Sequence, residues 1–149
     1  GNASQITDGA AAVLVCNDAG LKKIKCDPLV KVKGISVVGD DPILMLTGPI
    51  PATKKVLSES KLNIDEIGLY EVNEAFAPVP LAWEIEVKAD RSKLNVNGGA
   101  IALGHPLGAS GAKLMTTLIY EMHRRNEKYG LQAICEGGGT ANATILEKI

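Results

Sequence analysis

The chain has 149 residues, 46% hydrophobic and 22% charged, with 16 basic against 17 acidic side chains and a formal net charge of -1. That length suffices to bury a core without disulfides or metals, and the near-neutral balance excludes a disordered tail and a polycationic nucleic-acid binder. The longest apolar run, Ala10 to Cys16, is far short of the roughly 20 residues a membrane helix needs, and no signal-peptide pattern stands at the amino end, so the expectation is one soluble, cytoplasmic unit over 1–149.

Elements alternate along the chain. Ala10–Asn17 is a short apolar run that predicts a buried strand, and the β-branched run Leu29–Val38 predicts a second. Gly48-Pro49-Ile50-Pro51 opens a helix through about Ser60, with proline in the first turn where it is tolerated. Ile67–Val72 returns to strand character. Pro78 and Pro80 disfavour regular helix before Leu81, which places the next helix at Leu81–Lys88. Pro106–Lys128 has the clearest helical period: Leu107, Gly111, Leu114, Met115, Leu118, Ile119 and Met122 recur at spacings of three and four. Lys113, Glu121, Arg124 and Arg125 occupy its far face, and Gly130 stands as a C-terminal stop. Leu131–Cys135, the Gly137-Gly138-Gly139 turn and Thr140–Leu146 then read as a hairpin. Strands separated by helices predict an α/β layered domain, a mixed sheet with helices packed on it.

Three cysteines without a CxxC pair predict reduced thiols, and two histidines without paired ligand spacing argue against a metal site. Sixteen glycines stand against one phenylalanine and one tryptophan, and they cluster at Gly98–Gly111 and Gly137–Gly139. Such clusters mark close backbone approach.

Candidate chemistry gathers at those clusters. His105 lies in Gly104-His105-Pro106. The proline biases it away from helical geometry and suits a first helical position, which places the imidazole at the amino end of the long helix. There the helix dipole would keep the ring neutral and able to accept a proton. The competing reading is a helix cap with glycines packed on the sheet. Gly99 and Gly104 have the spacing of a phosphate loop, but no lysine follows.

Cys135 ends an apolar strand and runs into three glycines. A thiol facing a cavity beside free backbone N–H groups suits acyl chemistry, although a cysteine on an apolar strand is more commonly a small core residue. Cys16 and Cys26 take that core reading outright. Asn73 follows the strand Ile67–Val72, the end at which such sheets present ligand-binding groups. Glu74 reads as ordinary helix-dipole complementarity, Phe76 as core and His123 as a solvated residue.

Taken together, the segments resemble the carboxy-terminal half of a thiolase, a coenzyme A-dependent family that makes and breaks carbon–carbon bonds in 3-ketoacyl thioesters. Five motifs in order carry the resemblance: Gly1-Asn2-Ala3-Ser4 with Asp8-Gly9-Ala10-Ala11, Gly48-Pro49-Ile50-Pro51-Ala52, Asn73-Glu74-Ala75-Phe76-Ala77, Asn97–Gly111 around His105, and Cys135-Glu136-Gly137-Gly138-Gly139. Gln5 and Thr7 depart from the glycine and asparagine common in the first motif. Thr140-Ala141-Asn142 departs from the apolar residue and glycine usual after the triple glycine.

The resemblance implies roles. His105 would activate a nucleophilic cysteine and help bind the thioester oxygen, and Asn73 would hold a water in that oxyanion site. Cys135 would act as acid/base on the α-carbon, Gly137 would offer its N–H to the acyl-enzyme oxygen, and Ser4 would contact the pantetheine arm. Substrates would be coenzyme A thioesters, with no tightly bound cofactor and no metal. Nothing in the chain matches the family's nucleophile. The expected partners are therefore acyl-CoA, the missing amino-terminal thiolase domain and, at full length, further copies in a homo-oligomer; neither nucleic acid nor membrane is expected. The isolated chain is expected to be inactive. The alternative is a non-catalytic acyl-CoA-binding or dimerisation module.

Overall fold

A computed structural model describes residues 1–149. Its frame is a four-stranded mixed sheet in the order β1-β4-β3-β2. The strands are β1 (Val30–Gly39), β2 (Leu69–Val72), β3 (Tyr129–Cys135) and β4 (Thr140–Lys148). β3 and β4 form the expected hairpin, and β4 pairs antiparallel with β1. β2 pairs parallel with β3, in register from Leu69↔Gly130 to Val72↔Ala133. The sheet is mixed, as the alternation of elements predicts, because the chain crosses from β2 to β3 through helices and a parallel pair requires such a crossover.

The helices divide between the two faces. α2 (Pro49–Ser60) lies against β1 and β4 and touches α3 (Pro78–Val87), while α5 (Ser110–Arg125) lies on the opposite face against β3, β2 and β4. Residues that alternate along each strand supply both interfaces. Tyr70, Val72, Leu131, Ala133, Ala141, Ala143 and Ile145 join Ala52, Val56, Val79 and Trp83 under α2 and α3. Leu69 and Leu146 meet Leu118, Ile119 and Met122 under α5. Trp83 is fully buried, sets its edge against Tyr70 with centroids 5.3 Å apart, and donates its indole N–H to Thr53 Oγ1 at 2.8 Å. No helix is long and apolar enough to cross a membrane.

Several boundaries differ from the sequence reading. Ala10–Asn17 forms no strand. Leu14 and Val15 are about three-quarters exposed, Asn17 instead caps α1 (Asp18–Ile24), and no neighbouring strand in this chain pairs with the run. α3 starts at Pro78, not Leu81, because both prolines fall in its first turn, where N–H groups have no intrahelical acceptor. α5 starts at Ser110, the residues from Pro106 forming a turn ahead of it. It stops at Asn126, whose φ of 60° provides the left-handed cap; Gly130 lies inside β3. There a β-carbon would meet the Met122 sulfur and the Leu118 side chain, which would have to shift to admit one.

Glu121 is buried, not on a solvated face, and pairs with Arg124 and Arg125. Phe76 is 44% exposed instead of core. Cys16 and Cys26 are exposed as well.

Candidate functional site

Parallel pairing decides where the site lies. Because β2 and β3 run together, their carboxyl ends emerge on one edge of the sheet, and Asn73 and Cys135 leave from that edge. The Asn73 backbone N–H donates to Ala133 O at 2.9 Å, two residues before Cys135. Asn95 holds the end of β2 from its other side: its Oδ1 accepts from Val72 N–H and its Nδ2 donates to Val72 O, both at 2.9 Å. The side chain thus imitates a neighbouring strand. Asn73 itself is 2% exposed, and its Oδ1 is buried without a protein partner. An unmatched buried acceptor costs about 1–3 kcal/mol, so it is a feature that asks for an occupant.

The amino-terminal segment stitches the asparagine and histidine motifs together. Ala3 bridges Phe76 and Ile6 bridges His105. Ser4 donates both its N–H and its hydroxyl to Ala75 O, at 3.0 and 2.8 Å, and His105 N–H donates to Gln5 O at 2.9 Å. Glu74 adds a second tie. Its carboxylate accepts from Ile101 N–H at 3.0 Å and lies so close to Gly99 that any β-carbon there would collide with it. Glu74 therefore works across the loop on α4 (Ala100–Leu103), not on the helix that follows it in sequence.

His105 sits ahead of α5 and reaches back to it. Its Nδ1 lies 2.6 Å from Ser110 Oγ, and Ser110 is the first residue of that helix. Lys113, one turn along, donates from Nζ to Leu103 O at 2.8 Å and Gly104 O at 3.0 Å, which fixes the strained Gly104 corner (φ 84°) just before the imidazole. Partial burial, and then the Lys113 ammonium, push the His105 pKa below its ordinary value. The direction favours the neutral ring, with burial and a lysine as its causes where the sequence reading invokes the helix dipole. The sequence reading gives Ser110 no role and sets Lys113 on the far face of the helix, whereas its ammonium bonds the Gly104 corner. Their spacing of three on an apolar-periodic helix, directly after the histidine turn, was the signal.

Cys135 is half-buried, and desolvation raises its thiol pKa, with Glu136 adding to the effect and a backbone hydrogen bond opposing it. The thiol is held in its protonated form near neutral pH. Gly137 has open space where a side chain would be. Gly138 and Gly139 take φ values of 77° and 82°, a turn that Glu136 closes by donating its N–H to Thr140 O at 2.8 Å.

No hydrogen bond joins His105 to Cys135: the imidazole is bonded to Ser110 on α5, where Gly111 faces Ile134, whereas Cys135, next on β3, packs against the cluster under α2 and α3. Two depressions flank this edge. One, of about 410 Å3, lies between Thr7–Ala11 and Pro106–Ala109; the other, of about 290 Å3, is bounded by Glu74, Pro80, Arg91 and Asn95. Neither has the imidazole or the thiol in its wall. His123 is exposed, as expected, with Nε2 at 2.9 Å from Leu29 O.

The family model described as "Thiolase, C-terminal domain" matches residues 26–148. The chain is 56% identical over 147 residues to the steroid 3-ketoacyl-CoA thiolase FadA6 of Mycobacterium tuberculosis, covering 99% of this chain and 36% of that protein. It is 46% identical to the acetyl-CoA acetyltransferase of Cupriavidus necator over 99% of its own length and 37% of the relative. Among solved structures, the Bacillus anthracis acetyl-CoA acetyltransferase superposes with a TM-score of 0.95 at 40% identity, and human mitochondrial 3-ketoacyl-CoA thiolase with 0.91 at 43%. Each covers 99% of this chain and 38% of the solved one. The chain thus spans little more than a third of the length of the relatives it matches.

Proposed function

The chain belongs to the thiolase family, matching its C-terminal domain, and from that premise we propose that residues 1–149 supply the acid/base half of a site for acyl transfer between coenzyme A thioesters. The observation that carries this reading is the common exit of Asn73 and Cys135 from a parallel strand pair, beside the loop that carries His105. The other half, including the nucleophilic cysteine, would come from an amino-terminal thiolase domain.

In the cleavage direction, His105 accepts the proton of that nucleophile, whose thiolate adds to the 3-keto carbon. The bond between C2 and C3 breaks, and its electron pair leaves on the acetyl-CoA fragment as an enolate. Cys135 then donates its thiol proton to C2. Coenzyme A next gives its thiol proton back to Cys135 and attacks the acyl carbon, and the released nucleophile recovers its proton from His105. Condensation is the reverse, with Cys135 removing the α-proton. The raised thiol pKa suits a group that rests protonated, and the lowered imidazole pKa suits a group that rests as a base. Asn73 would hold a water on its unmatched Oδ1, aiming the second hydrogen of that water at the thioester oxygen. Gly137 N–H would serve the acyl-enzyme oxygen, and Ser4 would meet the pantetheine arm. Substrate and coenzyme are the same compound class, with no tightly bound cofactor.

Ile6, Leu14, Val15, Ile35 and Val37, all more than half exposed, support a covering partner, the amino-terminal domain first and further copies in a homo-oligomer next. Three free thiols fit a reducing compartment such as the cytoplasm.

The deciding experiment measures thiolytic cleavage of acetoacetyl-CoA. The isolated chain is expected to show none. Joined to an amino-terminal thiolase domain it is expected to turn over, and Cys135→Ala should abolish that turnover. Cleavage by the isolated chain would refute the half-site, and a joined protein that binds acyl-CoA without cleaving it would favour a binding module instead.

A further inference from the structure

We propose that Ser110 fixes the tautomer of His105, holding the proton on Nδ1 and leaving Nε2 as the only ring nitrogen able to accept one. The inference deepens, and rests on, the reading of His105 as the base of a thiolase half-site.

It starts from counting protons. Ser110 Oγ lies 2.6 Å from His105 Nδ1 and 3.0 Å from Pro106 O, and the residue is 5% exposed. A hydroxyl has one hydrogen to donate. The contact to Pro106 O joins two oxygens, and a carbonyl oxygen can only accept, so that contact is a hydrogen bond only if the hydroxyl hydrogen lies in it. The contact to the ring is satisfied in either direction, because a neutral imidazole has one nitrogen of each kind. Only one arrangement makes both contacts favourable: Nδ1–H donates to Oγ, and Oγ–H donates to Pro106 O. Burial strengthens the choice, since little water reaches the serine to replace a misdirected bond.

The surroundings hold this arrangement in place. Ser110 is the first residue of α5, and its backbone N–H also donates to Pro106 O, at 2.8 Å. Ala109 N–H donates to the same oxygen at 2.8 Å, so the turn from Pro106 to Ser110 is closed by backbone hydrogen bonds, and the imidazole is bonded to its far end. Lys113 ties the near end by its two bonds to Leu103 O and Gly104 O. The ring is held from the side chain by Ser110 and from the backbone by Gln5 and Lys113.

The chemical consequence follows from what does not change during a proton transfer. When Nε2 takes a proton, Nδ1–H keeps donating to Oγ, so the ring need not turn. The positive charge that develops is shared along the chain to the Pro106 carbonyl. With the opposite tautomer, Nε2 would carry hydrogen already and could accept nothing. Ser110 touches no substrate in this scheme and is a positioning residue.

The test reads the ring nitrogens directly. The chain is labelled with 15N in histidine, and long-range 1H–15N correlations are recorded at about pH 8, above the ordinary histidine range. The expected spectrum shows a protonated Nδ1 and a bare Nε2 for His105. Ser110→Ala should shift the ring toward Nε2–H, the form a free histidine side chain prefers, and Ser110→Thr, which keeps the hydroxyl, should restore Nδ1–H. A bare Nδ1 in the unsubstituted chain would overturn the proposal, and because this needs no variant, a misfolded Ser110→Ala leaves the test intact. In a protein joining the chain to an amino-terminal thiolase domain, Ser110→Ala should lower kcat about tenfold or more with KM little changed, as expected where a base is left in the wrong tautomer. Since the spectrum is read without substrate, Nδ1–H in a joined protein that proves inactive would uphold the tautomer and count against the proposed function alone.

Discussion

The two faces of the sheet are built on different terms. Under α2 and α3 the buried strand residues are almost all apolar, the exception Ser36 donates its hydroxyl to Ala52 O at 2.7 Å, the tryptophan N–H has a partner at 2.8 Å, and Trp83, Tyr70, Val72, Leu131, Ala133 and Ile145 are buried within 2% of completely. Under α5 a row of polar side chains crosses three strands: Glu71 on β2, Gln132 opposite it on β3, and Thr144 opposite that on β4. Glu71 Oε2 and Gln132 Oε1 are buried without a partner, and Glu121 comes down from α5 with two arginines. An apolar layer stabilises by burial, whereas buried polar groups cost free energy unless each is matched. The helix that anchors His105 is therefore packed on the less favourable face, while the opposite face supplies the stability that lets it be so.

The largest effect should come from the apolar face. Trp83→Ala removes a fully buried ring and leaves Thr53 Oγ1 unmatched, and is expected to cost about 3–5 kcal/mol in chemical denaturation. A loss under about 1 kcal/mol would mean that this face does not carry the fold.

The next effect runs the other way. Burial, reinforced by the Glu121 carboxylate and opposed by Lys113, pushes the Glu71 pKa up to about 8 from 4.5. Below pH 4.5 the folded and unfolded forms both hold the proton and Glu71 costs nothing. As pH rises from there to about 8, only the unfolded chain gives the proton up, and stability falls by roughly 1.4 kcal/mol per pH unit. Glu71→Gln should abolish that slope, leaving the variant ahead of the native chain at neutral pH and level with it near pH 4.5. His105, whose pKa is lowered, slopes oppositely below its ordinary value, and Glu121, lowered to about 2, loses its contribution only in acid. Taking the difference between native and variant curves removes both. Parallel curves from pH 5 to 8 would show that Glu71 is not held neutral.

Elements are legible in the sequence where their residues alternate or recur with one period, on either face: β1, α2 and the β3–β4 hairpin fall within a residue or two of expectation and α5 has the clearest period, whereas α3 starts three residues early because its prolines fall in the first turn. The run Ala10–Asn17 misled because strand character is a statement about partners as well as side chains. Leu14 and Val15 have the composition of a strand and no neighbour in this chain to bond with. His105, Cys135 and Asn73 could be singled out by their glycines, their proline and the end of a strand. What joins them could not, since Asn95 copying a strand beside Val72 and Glu74 bonding Ile101 are contacts over 23 and 27 residues that no local pattern encodes.

A smaller effect separates packing from polarity on the α5 face. A methyl at Gly130 would lie 2.5 Å from the Met122 sulfur and 2.9 Å from Leu118 Cδ1, both parts of a tight apolar cluster. Both are ends of flexible side chains, so they can yield. Gly130→Ala should cost about 1–3 kcal/mol, shown as a lower denaturation midpoint with an unchanged slope on denaturant. Were it neutral, the α5 face would be loosely packed as well as polar, and the register of β2 on β3 would need another source.

The smallest effect belongs outside both layers. Lys54 on α2 and Glu86 on α3 stand 3.9 Å apart with more than half of each side chain in water. At that exposure the attraction is screened, and ordering two long side chains offsets much of what remains. Lys54→Ala is therefore expected to change stability by less than about 0.5 kcal/mol in 0.15 M salt. The pair also bridges the two helices that cover the apolar face, so the result separates two accounts of how they are held. A loss above about 1 kcal/mol that vanishes at 1 M salt would mean that charge joins α2 to α3. A negligible change leaves the joint to Trp83, Thr53 and the side chains beneath them.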